Sequence, residues 1–345
     1  MTSRVLFRVD AGPGIGLGHL RRCLALAAGL ADHGCSCVFL LEEHQAARNR
    51  IEAAGWPIEV LGLAPGQAGG AADLARVRAA ASAAGAATVV VDSYAVAAGF
   101  LAGLRAYGLR VVAIDDLARE SFSAHVVVNG GIQASRLPYR STTGDTQFLL
   151  GPAYTMLQPG YREIPPRPIA RDVRHVLVTV GGDDTRNLTA DLLTCLDRTS
   201  GVFDVRAVVG PFSCAGDRVD QAARGSRRAV TVVHGAADLR EFMLEADIAV
   251  SAAGQTLYEL AAAGTPTIAF AVADNQAGSL RGLADAGVVR SAGRVSDPGF
   301  HDRLAMLIDS LTSDVGARAG LSAAGQRLVD GRGAARVAGA VVALR

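Results

Sequence analysis

Short, continuously apolar runs alternate along the chain with longer stretches in which apolar residues recur at helical spacing. This alternation is the signature of βα units. Val5-Leu-Phe-Arg-Val9 reads as a strand, and the Ala- and Leu-rich stretch from Leu20 to Leu30 reads as the helix after it. The strand signal returns at Ser36 to Leu41, Thr88 to Val91 and Leu109 to Ile114, each followed by a loop carrying Asp or Glu. Parallel strands joined by crossover helices are the expected result.

Between Gly151 and Asp172 the periodicity stops and five prolines appear: Pro152, Pro159, Pro165, Pro166 and Pro168. Proline removes backbone donors and breaks helices, so residues 151–172 are expected to link two domains. The alternation then resumes with Val176 to Val180, Val205 to Val209, Val230 to Val233, Ile248 to Val250 and Thr267 to Phe270. The expected fold class is α/β, two doubly wound Rossmann-like domains over residues 1–150 and 173–345 that face a cleft. Asp302 to Leu311 and Ala334 to Leu344 read as helices, the last a candidate to cross back to the first domain.

Composition narrows the class. A chain of 345 residues suits two cores, and 50% hydrophobic with only 5% aromatic residues means interiors of Ala, Val and Leu. A net charge of +1, with no basic run longer than Arg227-Arg228, argues against nucleic acid as a partner. The five cysteines lack any CxxC spacing and are expected to be reduced thiols. No signal peptide and no membrane span are expected, so the chain reads as cytoplasmic, a monomer or weak homodimer.

Candidate chemistry lies in the loops after strands. Asp10-Ala-Gly-Pro-Gly-Ile-Gly-Leu-Gly-His19 carries four glycines at alternate positions between the first strand and first helix, where backbone can approach a ligand closely. It departs from G-x-G-x-x-G, because Leu17 and His19 stand where the third glycine would fall, which disfavours a nicotinamide cofactor. His19 is the candidate base, placed where a helix N-terminus favours a neutral imidazole; the bland alternative is a helix cap. Asp92-Ser-Tyr94 follows a strand, and Tyr94 can orient water or substrate, or simply pack beside a capping Asp92. Asp115-Asp116 reads more as a turn cap than as an acid–base pair.

In the second half, Val180-Gly-Gly-Asp-Asp-Thr-Arg-Asn187 and Ser251-Ala-Ala-Gly-Gln-Thr256 each form a strand, small-residue turn and helix start able to offer backbone N–H groups to a diphosphate. Glu259 can accept bonds from two ribose hydroxyls. Asp274-Asn-Gln276 can hold sugar hydroxyls or amides, or cap a helix. No Walker lysine loop, Ser-His-Asp order or His/Glu metal helix stands out, so neither metal nor cofactor is expected.

Taken together these loops resemble a known family. The pattern from Arg8 and Asp10 through Ile15, Gly16, Gly18, His19 and Arg22 to Ala27 is similar to that of the UDP-2,4-diacetamido-2,4,6-trideoxy-β-L-altropyranose hydrolases of pseudaminic acid biosynthesis. The likeness continues through Val91-Asp-Ser-Tyr94, Ile114-Asp-Asp116, Leu150-Gly-Pro-Ala-Tyr154, Gly181-Gly-Asp-Asp184 with Asn187-Leu188, Ser251-Ala252, Glu259 and Asn275-Gln276. The resemblance implies a glycosyltransferase B-type fold and metal-free, inverting release of UDP and free sugar. It also implies His19 and Tyr94 as catalytic residues, with Asp10, Gly16, Gly18, Arg22, Asp92, Asn275 and Gln276 at the substrate. Gly181, Gly182, Asn187, Ala253, Gly254, Gln255 and Glu259 fall to the nucleotide. Where those hydrolases read Asp-His-Tyr-Gly, this chain reads Asp92-Ser93-Tyr94-Ala95, so one histidine of the pattern is missing. An inverting glycosyltransferase needs nearly the same parts, and a non-catalytic nucleotide-sugar sensor would keep the same binding loops; both readings stay open.

Overall fold

The computed structural model describes residues 3–12, 17–182, 184, 186–210, 213, 216–236 and 238–344. The chain forms two compact units, one of residues 1–159 with 331–345, the other of residues 160–330. In the first unit the strands are β1 (Arg4–Val9), β2 (Ser36–Leu41), β3 (Ile58–Val60), β4 (Thr88–Asp92), β5 (Arg110–Ile114), β6 (Val126–Asn129) and β7 (Gln147–Leu150). All pair in parallel, in the order β3-β2-β1-β4-β5-β6-β7. Helices α1 (Gly18–Ala31), α2 (Gln45–Ala53), α3 (Ala71–Ala84) and α4 (Ala98–Ala106) supply the crossovers. Strand order reverses between β1 and β4, and in open α/β sheets the carboxyl ends at such a switch point are where ligands bind.

The second unit repeats the plan with β8 (His175–Thr179), β9 (Asp204–Val209), β10 (Val230–His234), β11 (Ile248–Ala252), β12 (Thr267–Ala271) and β13 (Val289–Arg294). Its parallel order β10-β9-β8-β11-β12-β13 puts the switch point between β8 and β11. Around it lie α5 (Leu188–Leu196), α6 (Gly216–Gly225), α7 (Arg240–Glu245), α8 (Gln255–Ala263), α9 (Asp274–Asp285), α10 (Phe300–Ser313) and α11 (Val315–Leu328). Val178, Val205, Val250, Ile268 and Phe270 from the strands meet Leu192, Leu304 and Ile308 from the helices in one apolar core. Two arginines close free carbonyls around this core. Buried Arg318 donates to the carbonyls of Leu311, Thr312, Ala170 and Arg171. Arg228 donates to Leu196, Thr199 and Gly201 while its guanidinium lies 3.8 Å from the Phe203 ring centroid.

The last helix, α12 (Gly333–Val342), belongs to the first unit and packs on α1. Small residues permit the approach: a Cβ on Gly29 would stand 3.0 Å from the Ala334 carbonyl oxygen, and one on Gly333 only 2.1 Å from that of Thr155. A Gly333→Ala substitution is therefore expected to displace the start of α12 and destabilise the first unit by about 1–3 kcal/mol, as overpacking does. Hydrogen exchange should show faster exchange in α1 and α12 with no change in β8–β12. No helix among the described residues is long and apolar enough to cross a membrane.

Candidate active site

In the first unit a buried cluster of ionisable side chains lies at the carboxyl ends of β4 and β5 and the start of α1. Asp92 ends β4 and is fully buried. Its Oδ1 lies 2.5 Å from His19 Nδ1, and its Oδ2 accepts from Arg22 Nε at 2.6 Å. Arg22 Nη2 adds a bond to Oδ1 at 2.7 Å, and Nη1 reaches both oxygens of Asp116 at 2.9 and 2.8 Å. His19 and Arg22 can share these partners because residues three apart lie on one face of α1.

Burial alone would raise the Asp92 carboxyl, but the Arg22 guanidinium and the His19 ring outweigh it and hold the group well below the usual carboxylate range. Burial likewise works against the charge of Arg22, and Asp116 with Asp92 more than restores it. With Asp92 ionised, His19 Nδ1 is the donor, which leaves Nε2 to accept a proton. Cys23 adds a weak contact, Sγ to Asp92 Oδ2 at 3.5 Å; burial, then the neighbouring carboxylate, push its thiol up and keep it protonated. It is one of four free, buried cysteines among the described residues.

Tyr94 meets the His19 ring edge-on, centroids 4.5 Å apart, and its hydroxyl donates to Asp116 Oδ2 at 2.9 Å. Asp115 closes its own turn by accepting from the Leu117 and Ala118 amides, while Asp116 does not share that task. A second buried cluster forms around Arg8 of β1. Arg8 Nη2 binds Asp73 Oδ2 at 2.7 Å and pairs with Asp10, and the Gly69 amide donates to Asp73 at 2.8 Å. Asp10 has one oxygen held by Arg8, and its amide continues the sheet by bonding the Asp92 carbonyl. Gly18 opens α1 with open space where a Cβ would stand. Gly16, together with Pro13, Gly14 and Ile15, lies outside the described residues.

In the second unit the two glycine loops differ. Gly181 follows β8 at φ +106°, a conformation that favours glycine, and Gly182 follows it. The helix start beyond them is closed from within: Asp184 accepts from the amides of Leu188 and Thr189 and from the Thr189 hydroxyl at 2.7 to 2.9 Å. The expectation that these α5 amides are offered to an anion is corrected accordingly, because a buried carboxylate of the chain already takes them. Asn187, in the left-handed region at φ 55°, precedes α5 without a side-chain cap bond. The β11–α8 loop is different. Gly254 is extended, has open space around its Cβ position, and as the N-cap of α8 brings no side chain to cap it. Ala253 extends the sheet by donating to Phe270, Gln255 and buried Thr256 begin the helix, and Glu259 is buried one turn further. Gln276 Oε1 accepts from the Val272 amide at 2.8 Å, so that oxygen closes the start of α9, whereas Asn275 beside it is exposed. Among the described residues no cluster of His, Cys, Asp or Glu side chains has the makings of a metal site.

Asp73 and Cys23 escaped the sequence reading as supporting residues; Arg8 and Asp184 stood in its motifs without a role, and Asp116 was read more as part of a turn cap than as a partner of Arg22. The usable signals were the His19/Arg22 spacing on one helical face and the position of Asp116 directly after a strand.

No family model matches the chain. It is similar to the spore coat polysaccharide biosynthesis protein SpsG of Bacillus subtilis, 26% identical over 197 residues, which cover 56% of this chain and 58% of that protein. The chain spans about half the length of the curated relatives it matches. Among solved structures it is similar to MurG of Acinetobacter baumannii, with a TM-score of 0.70, 16% identity and coverage of 98% of this chain and 99% of that one. The calicheamicin glycosyltransferase CalG4 matches with a TM-score of 0.67, 17% identity and coverage of 99% and 98%. Two parallel Rossmann-like sheets and these full-length likenesses make the fold glycosyltransferase B-type.

Proposed function

We propose that this chain is an inverting glycosyltransferase that moves an acetamido sugar from a UDP donor, with His19 as the base. The observation that carries the reading is the buried His19–Asp92 pair at the switch point of the first sheet. In the proposed step Nε2 of His19 takes the proton of an acceptor hydroxyl or amine. The acceptor's heteroatom attacks the anomeric carbon, and the bond to the diphosphate breaks with its electrons leaving on UDP. Asp92 holds the ring, Arg22 holds Asp92, and Asp10, Gly16, Gly18, Tyr94, Asn275 and Gln276 are assigned to the sugar.

The nucleotide is assigned to the second unit. Gly254 has neither a conformational nor a steric need for glycine within the chain, which suits a close approach of the diphosphate to the start of α8. Glu259 is assigned to the ribose, with Gly181, Gly182, Asn187, Ala253 and Gln255 beside the nucleotide. Support for sugar transfer comes from the fold and from the polysaccharide role in the name of the Bacillus subtilis relative.

Hydrolysis is the same step with water as acceptor, and the Arg8-to-Ala27 pattern favours it as the second reading. UDP release from a panel of UDP-amino sugars without acceptor, with the sugar product followed by NMR, separates them. Tight binding with little release is the expected outcome; rapid formation of free sugar would replace transfer by hydrolysis, and no binding of any UDP-sugar would overturn both.

A further inference from the structure

The pairing of Tyr94 with Asp116 fixes the polarity of one exposed contact. Tyr94 is 47% exposed, yet its hydroxyl donates to Asp116 Oδ2 at 2.9 Å. Asp116 already accepts from Arg22 Nη1 through both of its oxygens, so it meets Tyr94 as an acceptor as well. The phenol keeps its own proton, because burial of the hydroxyl and the Asp116 carboxylate both push it up. A hydroxyl has one hydrogen. Once that hydrogen is committed to Asp116, Tyr94 can offer an incoming molecule only lone pairs.

We propose that Tyr94, its proton held by Asp116, is an acceptor-only contact that selects sugars presenting a hydrogen-bond donor, a hydroxyl or an acetamido N–H. This rests on the reading of the site as one for a nucleotide-linked sugar. Tyr94 determines specificity, and Asp116 is a positioning residue that acts through it. The arrangement carries its own control. In Asp116→Asn, Arg22 has only donors to give and draws the amide oxygen, which leaves the amide nitrogen toward Tyr94. The phenol then accepts from that nitrogen and turns its hydrogen outward, so the polarity of the contact inverts without loss of size.

The test is calorimetric binding of UDP, UDP-N-acetylglucosamine, UDP-glucose, and UDP-glucose with fluorine replacing each sugar hydroxyl in turn. Fluorine cannot donate, so the fluoro series reports a hydroxyl, and the acetamido sugar compared with glucose reports the N–H. In the parent, removing one particular donor should weaken binding about 3- to 10-fold, the usual worth of one hydrogen bond. That penalty should vanish in Tyr94→Phe and vanish or reverse in Asp116→Asn, while UDP alone binds all three proteins alike. An equal penalty in parent and Tyr94→Phe at every position would overturn the inference and leave the site reading standing. A parent-like profile in Asp116→Asn would overturn the role of Asp116. If the parent binds UDP but gains nothing from any sugar, the inference falls; if it binds neither UDP nor UDP-sugar, the site reading falls with it.

Discussion

Turnover of a His19→Ala variant is expected to fall about 10²- to 10⁴-fold, the usual contribution of a positioned base, while its affinity for UDP stays at the parent value. The separation follows from where the groups lie. His19 belongs to the first unit, whereas the loop proposed for the nucleotide belongs to the second. Loss of the ring does not strand Asp92, because Arg22 still donates to both of its oxygens, so the fold should tolerate the change. Stopped assays of UDP formation with calorimetry on the same preparation check both halves. Unchanged turnover would remove His19 from the mechanism, and lost UDP affinity would contradict the assignment of nucleotide and base to separate units.

Truncating Asp92 should be costlier to stability than to binding. Asp92→Ala leaves a buried guanidinium with only Asp116 and takes away the partner of His19, and breaking a buried pair from one side costs about 3–5 kcal/mol. The cost depends on pH with a definite sign. The carboxyl is held below its ordinary value in the folded protein, so its contribution is present in full above about pH 4, where it is ionised in both states. It is lost as pH falls through the lower, folded value. Urea unfolding of parent and variant should therefore differ most near neutrality, and the two should converge in acid; a gap that ignores pH would show that Asp92 acts through packing alone. Asp92→Asn, which keeps the volume, should show the same convergence with a smaller gap.

Most of each sheet was legible because its strands are buried on both faces and read as unbroken apolar runs. Those the reading passed over have physical reasons. β3 is three residues long and β13 is only partly buried, both at sheet edges. β7 is likewise an edge strand and only partly buried. β6 is fully buried, but no α-helix separates it from β5 or β7, so an eye following strand–helix alternation goes past it. Chain division falls between Pro159 and Gly160, within the proline-rich stretch, and again at Asp330/Gly331, where no change of composition marks it.

The candidate site was legible as single loops but not as partners. His19 and Asp92 stand 73 positions apart, and Arg22 and Asp116 stand 94 apart. Only the order of strands in the sheet, β1 beside β4 beside β5, brings them together, and strand order is not written in local spacing. Local chemistry was readable where it is satisfied locally, as in the Asp115 turn. It misled where a carboxylate beside a glycine loop served the chain itself: Asp184 takes the α5 amides that looked available to phosphate.

The placement of α12 with the first unit has a consequence for biogenesis. Residues 160–330 form a continuous insertion between two segments of one domain, so the ribosome makes the whole second unit before it makes the helix that covers α1. Until α12 emerges, the small-residue face of α1 around Gly29 lacks the helix that packs on it. The second unit can complete its sheet from contiguous chain alone. Maturation of this protein therefore runs against the order of synthesis, with the half begun first finished last.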